Sequence, residues 1–240
     1  MKQESWIKVV VYTAIFAALV FAATLISVST PITKGYFNLG ESMVYTSAIL
    51  GGPLIGGLAG GIGSAFADLY LGYSDYAPGT LIIKGIEGAL VGFIYLKLSR
   101  LSKETLKKLS LPLSLLVGGA IVLAGSVLYG AIYGGDTVLE IWGRSVSFRI
   151  PLWAWTALGL AVGLWILYIV LKTDPSYSSA VIAMLLGGTL MVTGYFLYEA
   201  IVLKFGITAA AEIPVNFGQA LIGASIAIAV VSAVRRAGYD

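Results

Sequence analysis

Eight apolar runs joined by short polar connections leave this chain little choice of fold. Seven of them, at residues 6–28, 54–72, 79–98, 111–134, 150–171, 179–203 and 214–234, reach roughly the 20 residues with which a helix crosses a bilayer. Inside lipid every backbone N–H and C=O must be satisfied within the segment, so runs of this kind form helices. The eighth, 39–50, is shorter and is broken by Gly51-Gly52-Pro53; it reads as a tilted, short or partly re-entrant helix sheltered by its neighbours. Composition agrees: 58% hydrophobic residues, 11% charged and a mean hydropathy of +0.93 describe an integral membrane protein. No connection is long enough to fold separately, so residues 1–240 form a single transmembrane domain. The first run exceeds the apolar core of a signal peptide, and no small-x-small cleavage site follows it, so it is expected to stay as a helix.

Basic residues orient the bundle. With the N-terminus inside, Lys2, Lys8, Lys97, Arg100, Lys103, Lys107, Lys108, Lys172, Arg235 and Arg236 face the cytoplasm, and only Lys34, Arg144, Arg149 and Lys204 face out. This is the positive-inside pattern, and it places both termini in the cytoplasm. Tyr129, Tyr133, Trp153 and Trp155 then fall at the level of an outer aromatic belt.

The polar residues inside these runs are the next signal, because charge within a membrane is costly and marks a site or a pair. Lys84 and Glu87, three apart on one helix face, lie about 8 to 12 Å below the outer end of their run at 1.5 Å per residue. Tyr195 and Glu199 share a face in the outer third of the next-to-last run. Asn216 and Gln219 share one in the first turns of the last, and Glu41 opens the short run. These groups converge near the outer surface on separate helices, which a polar cavity open to the outside explains. Lys84 and Glu87 can also neutralise each other, Glu41 can complement a helix dipole, and Asp68, one turn from the interface, reads as a helix-terminating charge.

Several chemistries are excluded. Histidine and cysteine are absent, which removes HExxH zinc sites, Ser-His dyads, histidine relays and disulfides. Gly61-Ile62-Gly63-Ser64 therefore has no base to make it a nucleophile, and Asp68 has no second intramembrane aspartate. No ATPase motif is present, and the net charge of +3 reflects loop asymmetry and no nucleic-acid surface. Gly56, Gly57, Gly60, Gly61 and Ser64 form small-xxx-small rows for close helix packing. Ala14, Ala18 and Ala22 form a similar stripe that, on spacing alone, is ordinary packing.

Three blocks resemble the substrate-binding S components of energy-coupling factor (ECF) transporters. The first is Tyr36-Phe37-Asn38-Leu39-Gly40-Glu41 with the Gly51-Gly52-Pro53 turn and the stretch from Gly60 to Leu69. The second is Lys84-Gly85-Ile86-Glu87-Gly88. The third is Gly194-Tyr195-Phe196-Leu197-Tyr198-Glu199 followed by Glu212-Ile213-Pro214-Val215-Asn216-Phe217-Gly218-Gln219. The resemblance implies an all-α, six-helix membrane bundle that captures a vitamin or related micronutrient from outside. It further implies docking onto a transmembrane T component carrying two ATPases, so that ATP is hydrolysed by partners and the chain itself needs no cofactor and is no enzyme. It implies a ligand site between the first loop and the later helices, formed by Asn38, Glu41, Lys84, Glu87, Tyr195, Glu199, Asn216 and Gln219. It also turns Ala14 and Ala18 into a surface for the T component, and it locates the protein in the cytoplasmic membrane of a prokaryote.

One departure stands out. S components have six spans and this chain reads as about eight: residues 1–100 and 175–240 carry the S-component-like core, and 109–172 form an inserted helical hairpin. The connection at 136–149 mixes Val138, Leu139, Ile141 and Trp142 with charges and is expected on the membrane surface. A self-sufficient secondary transporter that uses Lys84–Glu87 for coupling is the alternative function, although no inverted repeat is evident.

Overall fold

A computed structural model describes residues 2–29, 35–123, 125–126, 136–141 and 144–238. The apolar runs are helices, seven among the described residues: α1 (Lys2–Thr24), α2 (Gly40–Leu71), α3 (Ala77–Leu98), α4 (Lys103–Leu123), α5 (Leu152–Lys172), α6 (Pro175–Leu197) and α7 (Glu212–Arg236). A π-helical turn, Tyr198–Val202, extends α6, and a 3-10 turn, Gly206–Ala211, leads into α7. Six of the seven are long and apolar enough to cross a membrane by length and composition. The exception is α3, which carries Lys84, Glu87 and Lys97.

The expected eight spans need one correction of form. Runs 39–50 and 54–72 are both contained in the 32 residues of α2, but α2 is bent back on itself. Gly52 adopts φ +79° and ψ −174°, a conformation open to glycine and strained for other residues. Pro53 follows and cannot donate to the helical ladder. A Cβ added at Gly56 would stand 2.6 Å from Ala48 Cα, and one at Gly60 would stand 3.1 Å from a Val44 methyl. Eight residues along a straight helix span about 12 Å, so residues 40–51 and 53–71 must lie side by side as antiparallel arms. The short run is thus a short helix that turns at Gly52. Of the fifth run, 111–134, helix α4 covers the first half; residues 124 and 127–135 lie outside the described residues.

Glycine sets how closely these elements approach. Gly57 and Gly61 face the carbonyls of Gly85 and Leu81 at 3.0 and 2.6 Å from where a Cβ would be, and a Cβ at Gly92 would stand 2.6 Å from Pro53 N. The second arm of α2 and α3 therefore touch backbone to backbone. Lipid is as apolar as a leucine side chain, so helix association here rests on such contacts more than on burial of apolar surface. The α4–α5 pair uses the same device. A Cβ at Gly118 would meet the Gly159 carbonyl at 2.6 Å, and one at Gly159 would meet the Gly118 carbonyl at 2.5 Å. This α4–α5 pair packs on α6, beside the core helices.

The connections differ from expectation in two places. Residues Ser27–Ser29 (β1) and Tyr36–Asn38 (β2) pair antiparallel, with Ser27 opposite Asn38; residues 30–34, including Lys34, lie outside the described residues. The stretch expected flat on the membrane is an antiparallel hairpin, β3 (Asp136–Ile141) with β4 (Arg144–Arg149), and β3 runs beside β1. Alternating β-branched residues at Thr137, Val138, Ile141 and Val146 favour strands over an amphipathic helix. Of the aromatic belt, Trp153 is 72% exposed but Trp155 is 4% exposed, packed inward against the α4–α5 seam; Tyr129, Tyr133 and Trp142 lie outside the described residues. Ala14 and Ala18 are exposed on α1, which packs on α2 and presents Val10, Val11, Ile15 and Leu19 outward.

Candidate functional site

The site forms where one end of the bundle gathers the start of α3, the end of α6, the start of α7 and the β1–β2 loop. Chain direction explains this convergence. α6 runs toward that end while α3 and α7 run away from it, so Tyr195 and Glu199 meet Lys84, Asn216 and Gln219 there. A cavity at this end is lined by Thr24, Tyr36, Asn38, Ser64, Asp68 and Tyr76, and further by Thr80, Lys84, Tyr195, Glu199, Glu212, Asn216 and Gln219, with Gly35 at its edge. Its free space is about 30 Å³, room for about one water molecule.

Beneath the cavity lies a layer of buried charge. The Lys84 ammonium, 3% exposed, donates to Glu41 Oε2 and, at 3.1 Å, to Glu87 Oε2; both glutamates are fully buried. Tyr45, also fully buried, donates to Glu87 Oε1 at 3.3 Å. Gln219 closes the arrangement from α7: its Nε2 donates to Glu41 Oε2 at 3.2 Å. Its Oε1 accepts from the Asn38 backbone N–H at 2.9 Å and from Asn38 Nδ2 at 3.0 Å. Asn38 Oδ1 in turn accepts from Gly40 N at 2.9 Å. Expected as ligand contacts, Asn38 and Gln219 are also the clasp that ties β2 to α7. Glu41 and Glu87 do not line the cavity; they hold Lys84 from behind.

The cavity wall is a second layer. Asp68 is 2% exposed and receives the Tyr36 hydroxyl. Asp68 stands in the last turn of α2, as expected, but it is buried beneath Tyr36 and lines the cavity, so it does more than terminate a helix. Burial, reinforced by the neighbouring Asp68 charge, pushes the Tyr36 hydroxyl pKa up, so Tyr36 stays a donor. Tyr73 stacks on Tyr36 with ring centroids 4.6 Å apart and meets Tyr76 edge-on at 6.4 Å. Tyr195 donates to Thr80 Oγ1 at 3.0 Å, and its ring lies 5.7 Å from the Lys84 ammonium. Glu199, 1% exposed, has Tyr76 within hydrogen-bonding reach, while its Oε2 has no hydrogen-bond partner. Asn216 lines the wall at 7% exposure.

Tyr36, Tyr76, Thr80 and Glu212 were absent from the expected set. Tyr76 and Thr80 precede Lys84 by eight and four residues, the spacing of one helix face, so the periodicity carried the signal. Tyr36 and Glu212 lie inside the sequence blocks that pointed to this region, but only the fold of the loop onto α7 brings them to the cavity.

Residues 5–152 match the family of ECF-type riboflavin transporter S components. A protein of Pyrococcus woesei, described as an uncharacterized protein in a gap 3' region, is 38% identical over 133 residues, covering 54% of this chain and 84% of that protein. No solved structure matches the chain. The matched family is one of transporter components and not of enzymes. With six helices of membrane-crossing length and composition, it makes this a multi-pass membrane protein.

Proposed function

Because the chain belongs to the family of ECF-type riboflavin transporter S components, we propose that it is the substrate-capture subunit of an importer in the cytoplasmic membrane of a prokaryote. In this reading the cavity faces outward and both termini face the cytoplasm, an orientation supported by the ten inward and four outward basic residues. Its ligand is a vitamin-like molecule. Its partners are a transmembrane T component and two ATPase subunits, which supply the ATP hydrolysis.

The observation that carries this reading is the narrow polar cavity at one end of the bundle. Buried polar groups on separate helices are expensive, and here they are directed into a common space. A ligand of vitamin size needs roughly 300 Å³ or more, against the about 30 Å³ free in this state. Entry therefore requires strand β2 to move away from α7 and from Asp68, which breaks the Asn38–Gln219 clasp and separates Tyr36 from Asp68. Lys84, Tyr195, Glu199 and Asn216 then contact the ligand. Glu41 and Glu87 act on the ligand through Lys84, whose ammonium they hold in place.

Docking to the T component uses the exposed face of α1, where Ala14 and Ala18 let a partner helix approach closely. The test is co-expression with candidate T and ATPase subunits. The complex should co-purify, and Ala14→Trp with Ala18→Trp should abolish co-purification while ligand retention by the isolated chain persists. Uptake that continues without any ATPase, and collapses when an ionophore is added, would instead establish a secondary transporter.

A further inference from the structure

The short arm of α2 leaves a space beneath its turn. Residues 40–51 extend about 18 Å along a helix, well short of the roughly 30 Å of bilayer hydrocarbon. The neighbouring helices do not stop there. The Gly52–Pro53 turn sits at the level of Gly92, where an added Cβ would stand 2.6 Å from Pro53 N. From Gly92, α3 continues to Leu98, about 9 Å further. Beneath the turn, at the end of the bundle opposite the polar cavity, lies a second cavity of about 370 Å³. It is lined by Ile49 and Leu50 from the short arm, Ser176 from the start of α6 and Arg235 from the end of α7. One side is thus apolar and the other carries a cation. Arg235 donates from Nη1 to Ser176 Oγ at 2.7 Å and from Nη2 to the Tyr95 hydroxyl, and its guanidinium lies 5.8 Å from the Tyr95 ring. Neither partner is a carboxyl group, and among the described residues none forms an ion pair with Arg235. Lys97, Arg100, Lys172 and Arg236 at the same end are exposed, whereas Arg235 is half-buried.

We propose that this second cavity binds a phosphate-bearing membrane lipid, with its phosphate on Arg235 and Ser176 and part of an acyl chain against Ile49 and Leu50. A guanidinium presents five N–H donors in a planar fork that suits phosphate oxygens, and Tyr95 and Ser176 hold this one in place while occupying two of the five. The direction of the cavity also matches an amphiphile. Its polar wall stands at the ends of α6 and α7, where lipid headgroups begin, and its apolar side lies deeper, at the end of the short arm. Water in this space would meet Ile49 and Leu50 without hydrogen-bonding to them, and free phosphate would fill only the polar part. Lipid surrounds a multi-pass membrane protein at high local concentration, which favours occupancy by mass action. The bound lipid then stands where the missing turns of the short arm would be, and it braces the Gly52 turn against the ends of α6 and α7.

The experiment uses the full chain, purified in detergent and stripped of lipid, and native mass spectrometry with three probes. These are dioleoylphosphatidylglycerol, dioleoylglycerol with the same chains and no phosphate, and inorganic phosphate with no chain. Phosphatidylglycerol should bind about tenfold more tightly than either, the scale of a charge-assisted hydrogen bond. Arg235→Gln should lower that affinity by about fivefold or more. Arg236→Gln removes the same charge from the adjacent exposed position and should leave it unchanged. If Arg235→Gln does not fold, Leu50→Trp fills the apolar side with Arg235 in place and should lower the affinity as far. Equal losses in the two arginine variants would reduce the effect to general attraction by a basic surface and overturn the site. Dioleoylglycerol bound as tightly as phosphatidylglycerol overturns the phosphate contact, and inorganic phosphate bound as tightly overturns the lipid. Affinity unchanged in Arg235→Gln, or in Leu50→Trp where the first variant does not fold, overturns the proposal outright. The capture function stands in every case, since none of these residues lines the polar cavity.

Discussion

Two layers of ionisable side chains lie within a few ångströms of each other at one end of this bundle, and they are built on opposite principles. In the lower layer the counter-ion is part of the protein. Lys84 answers Glu41 and Glu87, while Tyr45 and Gln219 take up further hydrogen bonds around them. One oxygen of Glu41 there still lacks a hydrogen-bond partner, as one of Asp68 and one of Glu199 do in the upper layer, but the two upper carboxyl groups line the cavity with no lysine or arginine paired to them among the described residues. The contrast separates structure from recognition. A paired buried charge fixes neighbouring helices, whereas an unpaired one stores a demand that only another molecule meets.

The most severe test of this division is Lys84→Met. It leaves two carboxyl groups buried without their cation, and breaking a buried pair in this way costs about 3–5 kcal/mol. Thermal unfolding in detergent should show a large fall in midpoint, partly restored by adding Glu87→Gln. A midpoint that does not move would mean that the lower layer does not hold the helices together.

Next in size is Glu199→Gln, where the sign is expected to reverse. Removing a buried carboxyl group that has no ion pair and one oxygen without a partner relieves a desolvation penalty, and Gln keeps an oxygen for Tyr76, so the empty chain should hold its stability or gain about 1 kcal/mol. Ligand affinity moves the other way. The same loss of one charge thus destabilises the protein in one layer and spares it in the other. Equal destabilisation by both variants would erase the distinction.

How much of this was legible in the sequence follows from the same physics. Lys84, Glu87, Tyr195, Glu199, Asn216 and Gln219 were legible as a cluster because charge and amide groups inside apolar runs are conspicuous, and the alternating direction of the runs brings them to one end of the bundle. The helices were legible for the same reason, since lipid permits little else. The division into two layers was not. It depends on side-chain direction across helices, so Glu41 and Glu87 appeared as ligand contacts when they lie behind Lys84. Asp68 was read as a helix end because the packing of Tyr36 onto it, which buries it, depends on how β2 folds over the bundle and leaves no mark in the run itself. The β-hairpin at 136–149 was missed for a different reason: alternation of apolar and charged residues over so short a stretch fits a surface helix and a strand alike.

A smaller effect is expected at the lid. Tyr36→Phe removes the hydroxyl donated to Asp68 but keeps the ring stacked on Tyr73, so global stability should fall by about 1 kcal/mol. The informative readout is local. Amide exchange at residues 35–38 should accelerate, because the loop loses one of its two ties to the bundle, while exchange in the lower layer stays the same. Acceleration in both places would mean that the layers open together and that the clasp formed by Asn38 and Gln219 does not insulate them.

The smallest effect supplies the scale for the others. Lys108 and Glu104 form an ion pair at 3.2 Å on α4, with side chains 77% and 78% exposed. Water and salt screen it, and holding two long side chains together costs entropy, so Lys108→Ala should change stability by about 0.5 kcal/mol or less. Its distance nearly equals the 3.1 Å between Lys84 and Glu87, which makes the two pairs a controlled comparison of environment at fixed geometry. Raising salt should weaken the Lys108 pair and leave the Lys84 layer unaffected, because screening acts where ions penetrate. If the two lysine variants respond to salt alike, water reaches Lys84 as well. The lower layer would then belong to the cavity, and its separation from the ligand would be a matter of degree.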